Sequence, residues 1–133
     1  MAHAGQELTG RNGFRLKFLR ITDDLLEMEA FYSGEGGLPP EHLHPHQDEH
    51  FAVLEGAVTA VIEGEQRRYV AGDAFDVPAR TAHQMAGDGI ARVRWEVRPS
   101  MRTAEFFERA YSDSPGDDFL DTFADEFELT KIG

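Results

Sequence analysis

A single, mostly β domain closed by two C-terminal α-helices is the fold this sequence predicts, and three observations predict it. The chain has 133 residues, 41% of them hydrophobic with ten Phe, enough to fill one core and not a second. From Phe14 to Val97 it runs in short segments, several with an apolar period of two, broken at Gly, Pro and Asp. After Pro99 the apolar period lengthens to that of a helix.

Residues 1–13 are polar and read as a flexible N-terminal arm. Phe14, Leu16 and Phe18 then alternate with Arg15 and Lys17, which gives a strand with one apolar face. Val58, Ala60 and Ile62 repeat the pattern more weakly. Glu63–Gly64 suits a tight hairpin to Gln66–Val70, because Gly accepts positive φ there, and Gly72–Asp73 marks the next turn before Ala74–Val77. Val93, Trp95 and Val97 alternate with Arg92, Arg94, Glu96 and Arg98, so residues 14–98 form the β body with antiparallel neighbours. In residues 99–133, Phe106, Phe107, Ala110 and Tyr111 recur at helical spacing, as do Phe119, Leu120, Phe123 and Phe127. Ser114–Pro115 with Asp117 fits a helix start, which predicts a second helix over 115–128. These two helices form an extension packed on the β body, their Phe faces plugging it or joining two subunits.

The formal net charge is −12, and residues 99–133 supply half of it, nine acidic against three basic side chains. Such a field repels nucleic acid and anionic membrane, leaving small molecules and other proteins as partners. Met1 to Arg11 lacks the apolar core of a signal peptide, and no run approaches the roughly 18 apolar residues of a membrane span, so a cytoplasmic location is expected. With no Cys in the chain, any metal must be held by nitrogen and oxygen.

Five of the six His fall at His42, His44, His46, His50 and His83, and the first four share nine residues with Asp48 and Glu49. Two His one residue apart on an extended strand point to the same side, so His42 and His44 can converge on one point. Glu49 has the wrong parity to join them unless a bend or bulge intervenes around Pro45–Asp48, and Pro45 favours such an interruption. His50, opposite in parity to Glu49, faces away.

These residues resemble the two motifs of the cupin superfamily. The first appears as Gly36-GLPPE-His42-Leu-His44-PHQD-Glu49-HFAVLE-Gly56, matching at every defined position. The second appears as Gly72-DAFDV-Pro78-Ala-Arg80-TA-His83-QMA-Gly87, with Arg80 where the family has Gly and Gly87 where it has Asn. The resemblance spans 36–87 in its motifs and roughly 14–98 with the flanking strands. It implies a double-stranded β-helix, or jelly-roll barrel. It also implies one divalent metal ion held by His42, His44, Glu49 and His83, with coordination positions left open. Imidazole with one carboxylate suits Fe, Mn, Ni, Co or Zn. His46 and Asp48 are alternative ligands or outer supports of the site, with His46 also readable as solvent-facing. Phe51, Phe75, Met85 and Trp95 are candidates for the pocket wall, together with Phe18, Met28 and Phe31.

No further residue shows the signature of a catalytic acid, base or nucleophile. The resemblance implies a metal-dependent enzyme on a small organic molecule, foremost an oxygenase, with isomerase, cyclase or lyase chemistry beside it. A non-catalytic small-molecule-binding module is the alternative. Metal-independent epimerisation of a nucleotide sugar through His and Tyr, with Tyr32, Tyr69 and Tyr111 on offer, ranks last in so acidic a chain. A homodimer is expected by the same resemblance.

Overall fold

In the computed structural model, which describes residues 1–130, the chain forms two antiparallel sheets. The strands in chain order are β1 (Glu7–Thr9), β2 (Arg15–Ile21), β3 (Leu26–Ser33), β4 (His42–Leu43), β5 (Asp48–Glu55) and β6 (Ala57–Ile62). They continue as β7 (Glu65–Val70), β8 (Ala74–Val77), β9 (His83–Gly87), β10 (Ile90–Arg98) and β11 (Glu128–Leu129). One sheet has the order β1-β2-β3-β10-β5-β8 and the other β11-β4-β9-β6-β7. The two sheets face each other, since one buried cluster joins Phe51, Val53, Phe75, Val77, Ala91 and Val93 of the first to Val58 and Ala60 of the second. This is the jelly-roll architecture that the motifs imply.

Period-two patterning does the sorting. Along β5, Glu49, Phe51 and Val53 are buried while Asp48, His50 and Ala52 lie toward the outside. On β3, Leu26, Met28 and Ala30 point in, and the outward Glu27 and Glu29 meet Arg94 and Arg92 of β10. Such surface pairs are worth under about 1 kcal/mol each, whereas full burial of a side chain such as Phe18 or Met28 is worth about 1.5–3 kcal/mol. The hairpin at Glu63–Gly64 is a two-residue loop between Ile62 and its partner Glu65, with φ of 51° and 80°. Positive φ at both positions matches the strand twist and is what Gly is suited to supply.

A second buried cluster joins Leu16, Phe18, Leu26, Met28, Ala30 and Val97 to Ala104, Phe106, Phe107 and Phe123 of the C-terminal extension. The Phe residues after Pro99 therefore plug the β body within one chain. The extension contains α1 (Thr103–Ala110) and α2 (Phe119–Thr122), so the second helix is far shorter than the 115–128 that its spacing predicts. Arg109 binds the Pro115 carbonyl through Nε and Nη2 at 3.1 and 2.7 Å, and Gly116 takes a left-handed φ of 93°, which keeps 115–118 out of a helix. Past Thr122 the chain is drawn into β11 by pairing with β4. Phe106 still gathers Phe119, Phe123 and Phe127 at ring distances of 5.0, 5.7 and 4.9 Å, so tertiary contact satisfies the apolar spacing without a continuous helix. At the other end, the stretch read as an arm carries β1, which pairs with β2 and sets Leu8 opposite Leu16.

Arg80, where the family motif has Gly, adopts a φ of 66°. Its backbone N–H donates to the His44 carbonyl at 2.9 Å, and its Nε donates to the Pro45 carbonyl at 3.3 Å. Left-handed backbone costs a non-Gly residue about 1–2 kcal/mol, and Gly adds back part of that through unfolded-state entropy. Arg80→Gly is expected to raise stability by roughly 0.5 kcal/mol in urea denaturation, because the backbone bond to His44 survives the change.

Candidate metal centre

His42 and His44 come from one sheet and Glu49 from the other. The interruption expected at Pro45–Asp48 is a turn at which the chain leaves β4 and enters β5 across the core, so the parity conflict is resolved by a change of sheet and not by a bulge. His83 opens β9, and its register partner on β4 is His42. The three histidines bring ligand atoms that all lie within 4.8 Å of one another. Glu49 Oε1 stands 3.2 Å from His44 Nε2 and 3.0 Å from His83 Nε2.

Each ring is oriented through its other nitrogen. Nδ1 of His42 donates to the Pro40 carbonyl at 3.0 Å, that of His44 to the Glu126 carbonyl at 2.8 Å, and that of His83 to the Thr81 carbonyl at 2.8 Å. A carbonyl only accepts, so the proton belongs on Nδ1 and Nε2 is left with a lone pair. Trp95 Nε1 donates to Glu49 Oε2 at 2.8 Å and fixes the carboxylate. Phe127 stacks on His42 at 4.8 Å, so residues 126 and 127 of the C-terminal extension help to hold two of the three rings.

His44 Nε2 and Glu49 Oε1 are buried without a well-aligned hydrogen bond, and they face each other. Two lone-pair atoms at this separation repel unless a positive centre stands between them. Burial lowers the pKa of His44, but the Glu49 carboxylate and the Glu126 carbonyl together outweigh it, and the net direction is up. Burial also raises the pKa of Glu49, yet His44 and His83 overcome it and hold the carboxyl well below its usual range. His42 is lowered to about 4, by burial first and by His83 second. The site thus draws positive charge to a point where three imidazole nitrogens and the Glu49 carboxylate meet. A divalent metal fits that donor set.

A cavity of about 420 Å³ opens on this point, with His42, Glu49 and His83 at its inner end and Phe51, Met85 and Trp95 along its wall. His44 lies behind that wall and is 7% exposed. Phe75 does not reach the cavity: it packs behind Phe51 at 5.0 Å and against Tyr69 at 4.1 Å. Phe18 and Met28 belong to the core, and Phe31 lies under Arg15 on the outer face. His46 is half-exposed beside Asp125, 4.0 Å away, and Asp48 is exposed and accepts the Ala79 N–H. Neither joins the cluster. His50 points outward and meets Asp76 at 2.7 Å, as its parity predicts. The Glu126 carbonyl, Phe127 and the seating of Tyr32 and Tyr111 in the cavity wall escaped the sequence reading, because no local pattern ties residues 111 or 126 to residue 44.

Gly87, where the family motif has Asn, has a physical cause. A Cβ there would lie 2.5 Å from the Cβ of Tyr32, so the space is already taken.

The sequence pattern of the cupin domain matches residues 31–97, half of the chain. Over 64 residues the chain is 34% identical to quercetin 2,3-dioxygenase of Bacillus subtilis, a match that spans 48% of this chain and 19% of that enzyme. Among solved structures, KdgF from Halomonas sp. superposes with a TM-score of 0.67 at 26% identity, covering 74% of this chain and 91% of that one. An RmlC-like cupin from Shewanella frigidimarina gives a TM-score of 0.67 at 18% identity, covering 77% and 96%.

Proposed function

The chain belongs to the cupin domain family, and from that premise we propose that it is a divalent-metal-dependent enzyme acting on a small organic molecule, foremost as an oxygenase and next as an isomerase or cyclase. The observation that carries the proposal is the convergence of three histidines, each oriented through Nδ1 by a backbone carbonyl, two of which, His42 and His83, line an open cavity. His42, His44, His83 and Glu49 would hold the ion. The match to a dioxygenase supports oxygen chemistry, although it spans a small part of that enzyme.

When bound, a metal here would supply Lewis-acid polarisation of a substrate oxygen or activation of dioxygen or water. The chain's own residues do the remaining work. The carbonyls of Pro40, Thr81 and Glu126 lock the imidazoles in the metal-binding tautomer, and the Trp95 N–H fixes the carboxylate. Phe51, Met85 and the Trp95 ring give the substrate an apolar wall that excludes water.

Elemental analysis by mass spectrometry of untagged protein, purified without chelator, tests the reading. Near-stoichiometric divalent metal is expected. Iron would direct the substrate search to dioxygen chemistry, and zinc or nickel to Lewis-acid chemistry. Stripping the ion should lower the melting temperature, because a ligand at a thousandfold excess over its Kd stabilises by about 4 kcal/mol, a shift on the order of 10 °C. No metal as purified, none taken up on addition and no thermal shift would overturn the enzyme reading and leave a barrel that binds small molecules through its walls.

A further inference from the structure

Among the polar groups of the cavity wall are two phenols that take no part in the candidate metal centre. Tyr32, near the end of β3, and Tyr111, at the C-terminal end of α1, both line the cavity. Neither phenol has a hydrogen-bond partner among the described residues. Their rings flank Phe14 at 5.2 and 5.8 Å. Each is seated where a side chain has been given up: a Cβ on Gly87 would lie 2.5 Å from Tyr32, and one on Gly10 would lie 3.1 Å from Cε1 of Tyr111. Tyr32 also bridges the two buried clusters, with Trp95 beside it in the same role.

Both phenols are donors at neutral pH. Burial pushes Tyr111 up to about 12 and raises Tyr32 further, with the neighbouring Tyr111 and Glu49 adding to the effect. The Trp95 N–H is already committed to Glu49, so the inner wall offers these two hydroxyls for a ligand to engage. The charged side chains at the mouth, Arg11 and Glu35, are of opposite sign and select no net charge.

We propose that Tyr32 and Tyr111 are hydrogen-bond donors to oxygen of a ligand in this cavity, and that the ligand is a small planar conjugated molecule carrying a carbonyl, enolate or phenolate oxygen. The aromatic wall supplies stacking faces for such a molecule, and the phenols stabilise charge on its oxygen by donating hydrogen bonds to it. A cavity of about 420 Å³ lies at the small end of the ligand-pocket range, which limits the body to one or two rings. The inference names the substrate class for the metal-dependent reading and rests on it for its catalytic meaning.

Binding of 4-nitrophenolate to the protein as purified tests it, with nitrobenzene as the probe that shares the nitro group and lacks the phenolate oxygen. Tyr32→Phe and Tyr111→Phe keep the rings and therefore the packing. Each is expected to weaken 4-nitrophenolate binding roughly tenfold or more, leave nitrobenzene within about twofold, and leave the metal content unchanged. The absorption band of bound 4-nitrophenolate should sit at shorter wavelength in the parent than in either variant, as an oxygen relieved of hydrogen bonds requires. No binding of 4-nitrophenolate, unchanged binding in both variants, or equal weakening of both probes would overturn the proposal. If the protein proves metal-free yet the variants behave as expected, the phenol pair stands and the enzyme reading falls. Bound metal with phenol-insensitive binding overturns the pair alone.

Discussion

Replacing His83 by alanine is expected to abolish the proposed binding of a divalent metal while leaving the β body folded. Loss of an outer group that merely orients a ligand typically weakens metal affinity about 10–100-fold, and loss of a ligand should exceed roughly 100-fold. His83 is the informative choice because its Nε2 lies 3.0 Å from Glu49 Oε1 and it sits opposite His42 in the β4–β9 register. Removal therefore opens the centre of the cluster and not its edge. Elemental analysis of His83→Ala beside His46→Ala and His50→Ala makes the comparison specific. The latter two should keep the metal of the parent, since His46 is half-exposed and His50 is turned outward to Asp76. Activity of the variant, once a substrate is known, should fall with the metal content. Retention of full metal by His83→Ala would remove His83 from the ligand set.

Gly56→Ala is expected to cost about 2–5 kcal/mol of stability, and Gly64→Ala only about 1–2 kcal/mol, although the two glycines have nearly the same φ. Their φ angles are 73° and 80°, so the left-handed penalty is common to both. What differs is the surroundings. A Cβ on Gly56 would lie 2.1 Å from the Ile90 carbonyl oxygen and 3.0 Å from the Ala91 Cα, both backbone atoms of β10 that cannot give way. A Cβ on Gly64 meets nothing within 4 Å. Gly56 closes the first sequence motif, joins β5 to β6 and so carries the chain from one sheet to the other. Paired urea denaturation of the two variants checks the difference. Equal losses would mean that β10 yields at Ile90 and that backbone conformation alone sets the requirement.

Much of the β body was legible because alternation needs only the local chain. Leu16 and Phe18, Val58 and Ala60, and Val93 and Val97 all point inward as their period indicates, and the Glu63–Gly64 and Gly72–Asp73 turns fall where Gly was expected to take positive φ. The second C-terminal helix is present but shorter than its spacing predicts, for the converse reason. Phe119, Phe123 and Phe127 have helical spacing, but Phe106 collects them from a short helix, a turn and the approach to a strand. Spacing reports which residues share a face, and several backbones satisfy that condition when a partner outside the segment provides the surface.

Residue type and short spacing in the chain set the strand faces and put His42 and His44 on one side, while the barrel and the joining of His83 to them were implied by the resemblance of the two motifs to the cupin superfamily. Tertiary structure alone decided how Glu49 joins the histidines, by moving the chain between sheets at Pro45–Gln47. It also decided that the Glu126 carbonyl and Phe127 hold His44 and His42, that Phe75 packs behind the wall, and that Tyr32 and Tyr111 furnish it. Each of these depends on contacts between residues far apart in the chain, whose meeting is fixed by closure of the two sheets and docking of the C-terminal extension and leaves no period or motif in the sequence between them.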